Sequence, residues 1–400
     1  MLFAEAYVDF FVDRTVRFGV AESKPIFYSP RIDLRELSGE AKERTYMRNV
    51  AYWLGLASVA VALHAQAADP WQHVTKATLP SLPGDEIQMI KVWPDKGVLW
   101  IGTSSGVARI EGGVLRVLKQ ALKLKVWDIT SRPEGGLWIG HSTGALLVDG
   151  ERTVPTLQGL NVPAIRLVGT QMWALAKTEA TDRNALMQAK GEDWVPVEVV
   201  KGRNVLDLVQ DSKGTFWLVL DGDGVVEVDP GKKLNEAPRH LARMNVTSIM
   251  TDSQGRTWCG LMSGGVMVRQ NGVWQRQLDK ENSAVLSLIE DGSGKIWAAT
   301  SGNGIWKLDG TTWSGVLQDE GAVNLLKMTS DKRIWASTQR RGGLRCWDGK
   351  VWQDSLESPM PPNSLVELPK GVLVAGSLLD GLYILGDYSI KEEVGIDGKR

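Results

Sequence analysis

Seven tryptophans stand in one recurring local setting: Trp100, Trp138, Trp173, Trp217, Trp258, Trp297 and Trp335, with Val374 in an eighth such place. Successive spacings are 38, 35, 44, 41, 39, 38 and 39 residues. A period of about 40 residues belongs to stacked or radially repeated architectures, so the unit and not the chain length decides the fold. Each unit holds four short apolar segments of strand composition, separated by turn residues. The first two are joined by a turn of the form Asp-x-x-Gly at residues 211–214, 252–255 and 291–294. Asp opens such a turn, and Gly ends it because it adopts positive φ freely. Four antiparallel strands repeated about eight times must manage their edges, and a closed ring does so best. The chain is therefore expected to be all-β: a single closed β-propeller over residues 68–400 with eight four-stranded blades, or seven with one degenerate unit. The seven tryptophans should be buried between blades. Residues 71–74 read as an orphan fourth strand that could complete the last blade; residues 388–394 compete for that place.

The composition suits such a repeat, with 17 Trp and 43 Gly against 6 Tyr and 6 Phe. Charges nearly cancel, 46 Lys and Arg against 47 Asp and Glu, which argues against a nucleic-acid partner. The two cysteines, Cys259 and Cys346, lie in different units without metal-ligand spacing and read as small buried hydrophobes.

Ahead of the repeats, Met47 and Arg48 precede an uncharged run over residues 50–63, followed by Ala65-Gln-Ala67. This has the form of a secretory signal peptide over residues 47–67, with cleavage between Ala67 and Ala68. Its apolar part is short for a membrane span. Residues 1–46 bear no relation to the repeats and read as a non-native upstream extension, with Met47 the expected start. A cytoplasmic segment with an uncleaved anchor is the alternative, and an ordinary buried helix a third reading. Export places the mature protein in the periplasm or outside the cell, without a stable membrane span.

The pattern Asp-x-x-Gly-x-x-Trp, then Ile or Ala, then Gly or Ala, then Thr-x-x-Gly, resembles the two-component regulator propeller repeat of bacterial hybrid histidine kinases. Residues 95–97 with LWIGTSSGV and 291–294 with IWAATSGNGI match it best, and the resemblance spans residues 71–394. It implies a sensor-like propeller that binds a small molecule or glycan, or docks a partner. No immunoglobulin-like domain, second span or kinase is read after residue 394, so the resemblance implies output through a separate envelope signalling protein.

Motifs for chemistry are scarce. No two of the four histidines (His64, His73, His141 and His240) have metal-ligand spacing, and no Gly-x-Ser-x-Gly elbow occurs. Asp221-Gly-Asp-Gly224 begins like a calcium loop, but it lacks the rest of one and aligns with the ordinary turn at residues 301–304. No catalytic residue, cofactor or metal is assigned. Asn161, Asn204, Asn245 and Asn363, each just before a first strand, suit a repeated backbone-bonding role better than ligand contact.

Strand alternation puts the turns after the second strands on one face with the links between blades. These turns, at residues 103–106, 141–144, 177–184, 221–224, 301–304, 339–343 and 378–381, differ from blade to blade, as binding requires. Candidate ligand contacts there are His141, Arg183, Asp221, Asp223, Arg340, Arg341 and Asp380. The function expected is that of an exported, non-catalytic binding propeller. The alternatives are an envelope interaction scaffold and a hydrolase or lyase with a channel-end site.

Overall fold

The computed structural model describes residues 71–93, 97–177, 183–197, 200, 202–210, 215–228, 237–278, 283–318, 320–340 and 343–393. The signal segment, the 1–46 extension, Ala67, Ala68, Arg341 and the 211–214 turn lie outside these residues. The described chain forms eight antiparallel sheets, seven of four strands and one that gains a fifth. The protein is an eight-bladed all-β propeller, and seven blades is excluded.

The first strand of each blade is the inner one. These strands are Ile87–Trp93, Val126–Ser131, Asn161–Val168, Val205–Gln210, Val246–Thr251, Val285–Glu290, Val323–Met328 and Ser364–Glu367. Several pack directly against the first strand of the next blade, and that of blade eight packs against that of blade one, closing the ring. In blades one to seven the ladder to the second strand carries a bulge near the strand's start. Each bulge adds one residue to the inner strand and re-aims a side chain. In blades four and five the residues without a ladder partner are Leu206 and Thr247.

Both chain ends take part in closure. Gln72–Val74 pairs antiparallel with the third strand of blade eight, Leu382–Leu385, and supplies its missing fourth strand. Lys391–Glu392 goes elsewhere, running parallel to Val114–Val117 as a fifth strand on blade one. The two segments that competed for one position in the sequence occupy two.

Apolar side chains from neighbouring blades share cores. Trp258, Val266 and Val268 of blade five meet Val285, Leu288 and Ile296 of blade six. Trp297 and Ile305 of blade six meet Val323, Leu326 and Ile334 of blade seven. Six of the seven anchor tryptophans are at most 3% exposed, and Val374 is fully buried. Trp173 is the exception and is half-buried. The reason lies in the next blade. Trp138 is capped by Trp194 and Trp297 by Trp352, each from the outer strand of the next blade, and Trp335 by Trp71 beside the closing strand. The outer strand of blade four is only Arg239–His240, and the His240 ring lies against Trp217 and Trp274.

The small residue two places after the tryptophan has a packing cause. A Cβ on Gly260 would sit 2.4 Å from Ser248 Oγ and 2.7 Å from Val285 Cγ1 of the next blade. Gly140 approaches Val162 O at 2.5 Å and Gly102 approaches Val126 Cγ1 at 2.9 Å in the same sense. The Trp-x-Gly pattern thus lets one blade's second strand meet the next blade's inner strand. Cys259 and Cys346 are buried free thiols. Desolvation raises both, Cys346 to about 11.

Candidate functional site

The turns after the second strands and the links between blades do share a face, joined by a repeated backbone bond. The residue after the second strand donates its N–H to the carbonyl of a residue just before the inner strand. The pairs are Ser104 to Glu86, Ser142 to Lys125, Asp221 to Asn204, Met262 to Asn245, Ser301 to Ala284 and Gln339 to Ala322, at 2.8–3.1 Å. Asparagine side chains sew blades together on this face. Asn204 Oδ1 accepts from Asn184 N at 2.9 Å, and Asn204 Nδ2 donates to Asp221 Oδ2 at 3.1 Å. Asn245 Oδ1 accepts from Gly222 N at 2.5 Å, and Asn363 Nδ2 donates to Ile87 O at 3.3 Å.

On this face, where blade four meets blade five, lies a cavity of about 330 Å³. It is lined by Leu206, Asp207, Val209, Val219, Asp221, Asn245, Val246, Thr247, Ser248, Ile249 and Met262. The bulge residues of the two inner strands, Leu206 and Thr247, are among its walls. Its size is at the lower end of the range for small-molecule sites, about 300–1,000 Å³. Thr247 and Ser248 both donate to Val285 O, at 2.6 and 3.1 Å, so these hydroxyls also serve the seam to blade six.

A row of alternating charges on the inner strands ends at this cavity. Lys91 Nζ of blade one donates to Asp128 Oδ1 of blade two at 3.1 Å. Asp128 also accepts from Ile129 N at 2.9 Å, from Ile165 N at 3.0 Å and from Arg166 of blade three. Arg166 NH2 lies 3.8 Å from Asp207 Oδ1 of blade four. Burial of Lys91, and then the nearby Arg166, pushes its ammonium down to about 8. Asp128 is 5% exposed and fully furnished with donors, as a buried carboxylate must be.

The structure spreads the sequence-selected residues around the ring, and only Asp221 lines the cavity. Asp223, in the same turn, pairs with Arg203 and stands 3.9 Å from Arg239. His141 is 8% exposed, and its Nδ1 accepts from Thr143 N at 3.3 Å. Desolvation holds its ring below the usual imidazole value. Arg183 donates to Gly202 O at 3.0 Å, across to the approach of blade four. Arg340 sits in the turn of blade seven, its N–H donating to Glu320 O at 3.1 Å. Asp380 belongs to the closure: its carbonyl lies 2.7 Å from His73 Nε2, its carboxylate accepts from Tyr383, and His73 stacks on Tyr383 at 4.6 Å. His240 Nε2 lies 3.2 Å from Glu227 Oε2, which also accepts from Arg269 at 2.8 Å. Among the described residues no set of three His, Cys, Asp or Glu side chains could hold a metal ion, and no helix is long and apolar enough to cross a membrane.

The cavity lies on the face chosen from the sequence, but of its lining only Asp221 was among the candidates; Asp207, Leu206, Thr247 and Met262 were not. One signal was available. Met262 lies four places after its tryptophan, where the other units carry Ser104, Ser142, Lys177, Asp221, Ser301 and Gln339, and only the eighth, with Leu378, is also apolar. The bulges leave no such trace.

No family model and no curated protein matches the chain. Among solved structures, the Dos1 propeller is similar, with a TM-score of 0.58 at 10% identity over 81% of this chain and 98% of that one. A streptogramin B lyase gives 0.49 at 11% identity, over 79% of this chain and 96% of that one. A structure described as the extracellular domain of a hybrid two-component system, BT4673 from B. thetaiotaomicron, gives 0.47 at 12% identity over 77% of this chain. This chain spans 51% of that structure's length. At such identities the likeness concerns the fold alone, which is a propeller.

Proposed function

We propose that the protein is an exported, non-catalytic binding propeller. In this reading it holds a small molecule or short glycan in the cavity between blades four and five, acts like a sensor, and passes the event to a separate envelope partner. The observation that carries the reading is the cavity's position. It lies on the face whose turns differ from blade to blade, and its walls include the turn residue Met262 and the bulge residues Leu206 and Thr247. The repeat's resemblance to sensor propellers supports the sensor role, and the leader-like residues 47–67 support export. A screen of small molecules and short glycans by thermal shift tests the reading, since a ligand raises stability by mass action. Binding should be lost in Met262→Trp and in Leu206→Trp, which fill the cavity without adding charge, at side chains exposed enough for the fold to survive. Hits that ignore both substitutions would place the site elsewhere. N-terminal sequencing of the exported protein should begin at Ala68; an intact Met1 on a cytoplasmic protein would remove the export step.

An interaction scaffold is the second reading, and one observation favours it. Of the exposed large hydrophobics among the described residues, Leu122, Leu206, Met262, Met360, Leu378 and Leu379 all lie on this same face, with Met262 55% and Leu379 63% exposed. A face richer in exposed apolar side chains than the opposite one suits a contact surface. Two of them, Leu206 and Met262, line the cavity, where a partner would read its occupation.

A further inference from the structure

The cavity between blades four and five has an unbalanced charge, and its imbalance selects a class of ligand. Among the described residues its lining includes two carboxylates, Asp207 and Asp221, and no lysine, arginine or histidine. The neighbouring acids are matched by cations. Asp128 is held by Lys91 and Arg166, and Asp223 by Arg203 with Arg239 nearby. Asp207 is not matched in this way. Among the described residues its one ion-pair contact is Arg166 at 3.8 Å, and that guanidinium is already engaged by Asp128. Asp221 accepts from the neutral amide of Asn204.

The other walls are Leu206, Val209, Val219, Ile249 and Met262. These walls offer apolar contact to the body of a ligand, beside carboxylates that stay open to solvent. A cleft lined by one sign of charge also concentrates ions of the opposite sign. The cavity's two hydroxyl groups already donate to Val285 O, so their protons are not free to grip an anionic guest.

We infer that the cavity takes a small organic cation, a protonated amine on an apolar body, with the ammonium toward Asp207 and Asp221 and the hydrocarbon against Leu206 and Met262. This rests on reading the cavity as the binding site, and it narrows the ligand class for that site.

Three matched probes test it on the purified protein by calorimetry and thermal shift: phenethylamine, 3-phenylpropionate and 3-phenylpropan-1-ol. The amine should bind, and the carboxylate and alcohol should each bind about tenfold more weakly or worse, the scale of one charged hydrogen bond. Asp207→Asn and Asp221→Asn should each weaken the amine by several-fold and leave the alcohol unchanged. Asn keeps the oxygen that accepts from Leu208 N at 2.7 Å, so the unliganded melting temperature should hold. Added salt should weaken the amine in the parent protein and much less in the double variant. Failure of the amine to bind, a carboxylate that binds as well, or amine binding indifferent to both substitutions would overturn the cation assignment. The cavity reading is judged apart, by whether binding of any ligand is lost in the uncharged, cavity-filling Met262→Trp.

Discussion

The recurring Asp-x-x-Gly-x-x-Trp spacing couples a turn to a core residue. The aspartate lies six positions before the tryptophan and accepts its indole N–H. Trp258 Nε1 donates to Asp252 Oδ2 and Trp297 Nε1 to Asp291 Oδ2, both at 2.8 Å. The same carboxylates close their turns by accepting from Arg256 N at 2.8 Å and Lys295 N at 3.0 Å. In blade seven the position is Thr329, whose hydroxyl accepts from Trp335 at 3.3 Å. Blades one to three have Pro94, Arg132 and Leu167 there, and Trp100, Trp138 and Trp173 keep buried indole nitrogens without a partner. An unmet buried donor costs about 1–3 kcal/mol. Asp252→Ala should therefore lower stability by about that much or more, because Arg256 also loses its partner. A double-mutant cycle with Trp258→Phe, read by urea unfolding, isolates the shared bond; a coupling near zero would refute it. Asp291 adds a pH dependence. Burial alone would raise its carboxyl, but bonds from Ser293, Trp297 and the Lys295 and Ser293 amides together hold it below the ordinary 3.8. A carboxyl lower in the folded than in the unfolded chain contributes stability above the unfolded value and loses it as pH falls through the folded one. Asp291→Asn should remove that part of the acid sensitivity, so that parent and variant converge as pH is lowered below about 4.

Hairpin turns, anchor tryptophans and blade number were legible in the sequence because each depends on residues close together in one unit. What the sequence hid depends on partner strands. The bulges require a second strand to be counted against, so the place of Leu206 and Thr247 among the cavity's walls had no local sign. The half-burial of Trp173 reflects the two-residue outer strand of the next blade, and nothing in its own unit announces it. The Trp-x-Gly pattern was visible as a pattern, while its cause, the approach of the next inner strand, was not. Gly260→Val gives a test at this scale. Its new atoms would meet Ser248 Oγ and Val285 Cγ1, which lie 2.4 and 2.7 Å from the position of a Cβ. Neither neighbour can yield freely, since Ser248 bonds Val285 O and Val285 is fully buried. Overpacking of this kind costs about 1–3 kcal/mol. The urea midpoint should fall with the slope unchanged. Because the strain falls beside Ser248 and Thr247, probe binding at the cavity should weaken too, whereas a substitution at the matching Gly102, in blade one, should lower stability and spare binding.

A ring of blades is as strong as its seam, and this seam joins elements from opposite ends of the described chain. Residues 71–74 reach blade eight and fix it in three ways. The strand pairs with Leu382–Leu385, Trp71 meets the edge of Trp335 at 5.9 Å while its Nε1 donates to Ser355 Oγ at 3.2 Å, and His73 stacks on Tyr383. The second tie is lighter. Lys391 N donates to Gly113 O at 2.8 Å, Glu392 accepts from Ser81 N at 2.7 Å, and Glu393 pairs with Arg116 at 2.9 Å between exposed side chains. Exposed ion pairs contribute little, about 0–1 kcal/mol. The two ties should therefore differ in consequence. Trp71→Ala removes packing on a buried tryptophan and a hydrogen bond; Trp71 is itself only partly buried, so the loss should fall below the roughly 3–5 kcal/mol of a fully buried tryptophan. Lys391→Pro removes one edge-strand donor and should cost about 1 kcal/mol. Hydrogen exchange by mass spectrometry can read the difference in place. In Trp71→Ala, amides of Leu373–Gly376 and Leu382–Leu385 should exchange faster while those of Val246–Thr251, across the ring, keep their protection. In Lys391→Pro, faster exchange should be confined to Val114–Val117. Equal acceleration in every blade from Trp71→Ala would mean that the ring opens as one cooperative unit, and that closure stabilises all blades alike.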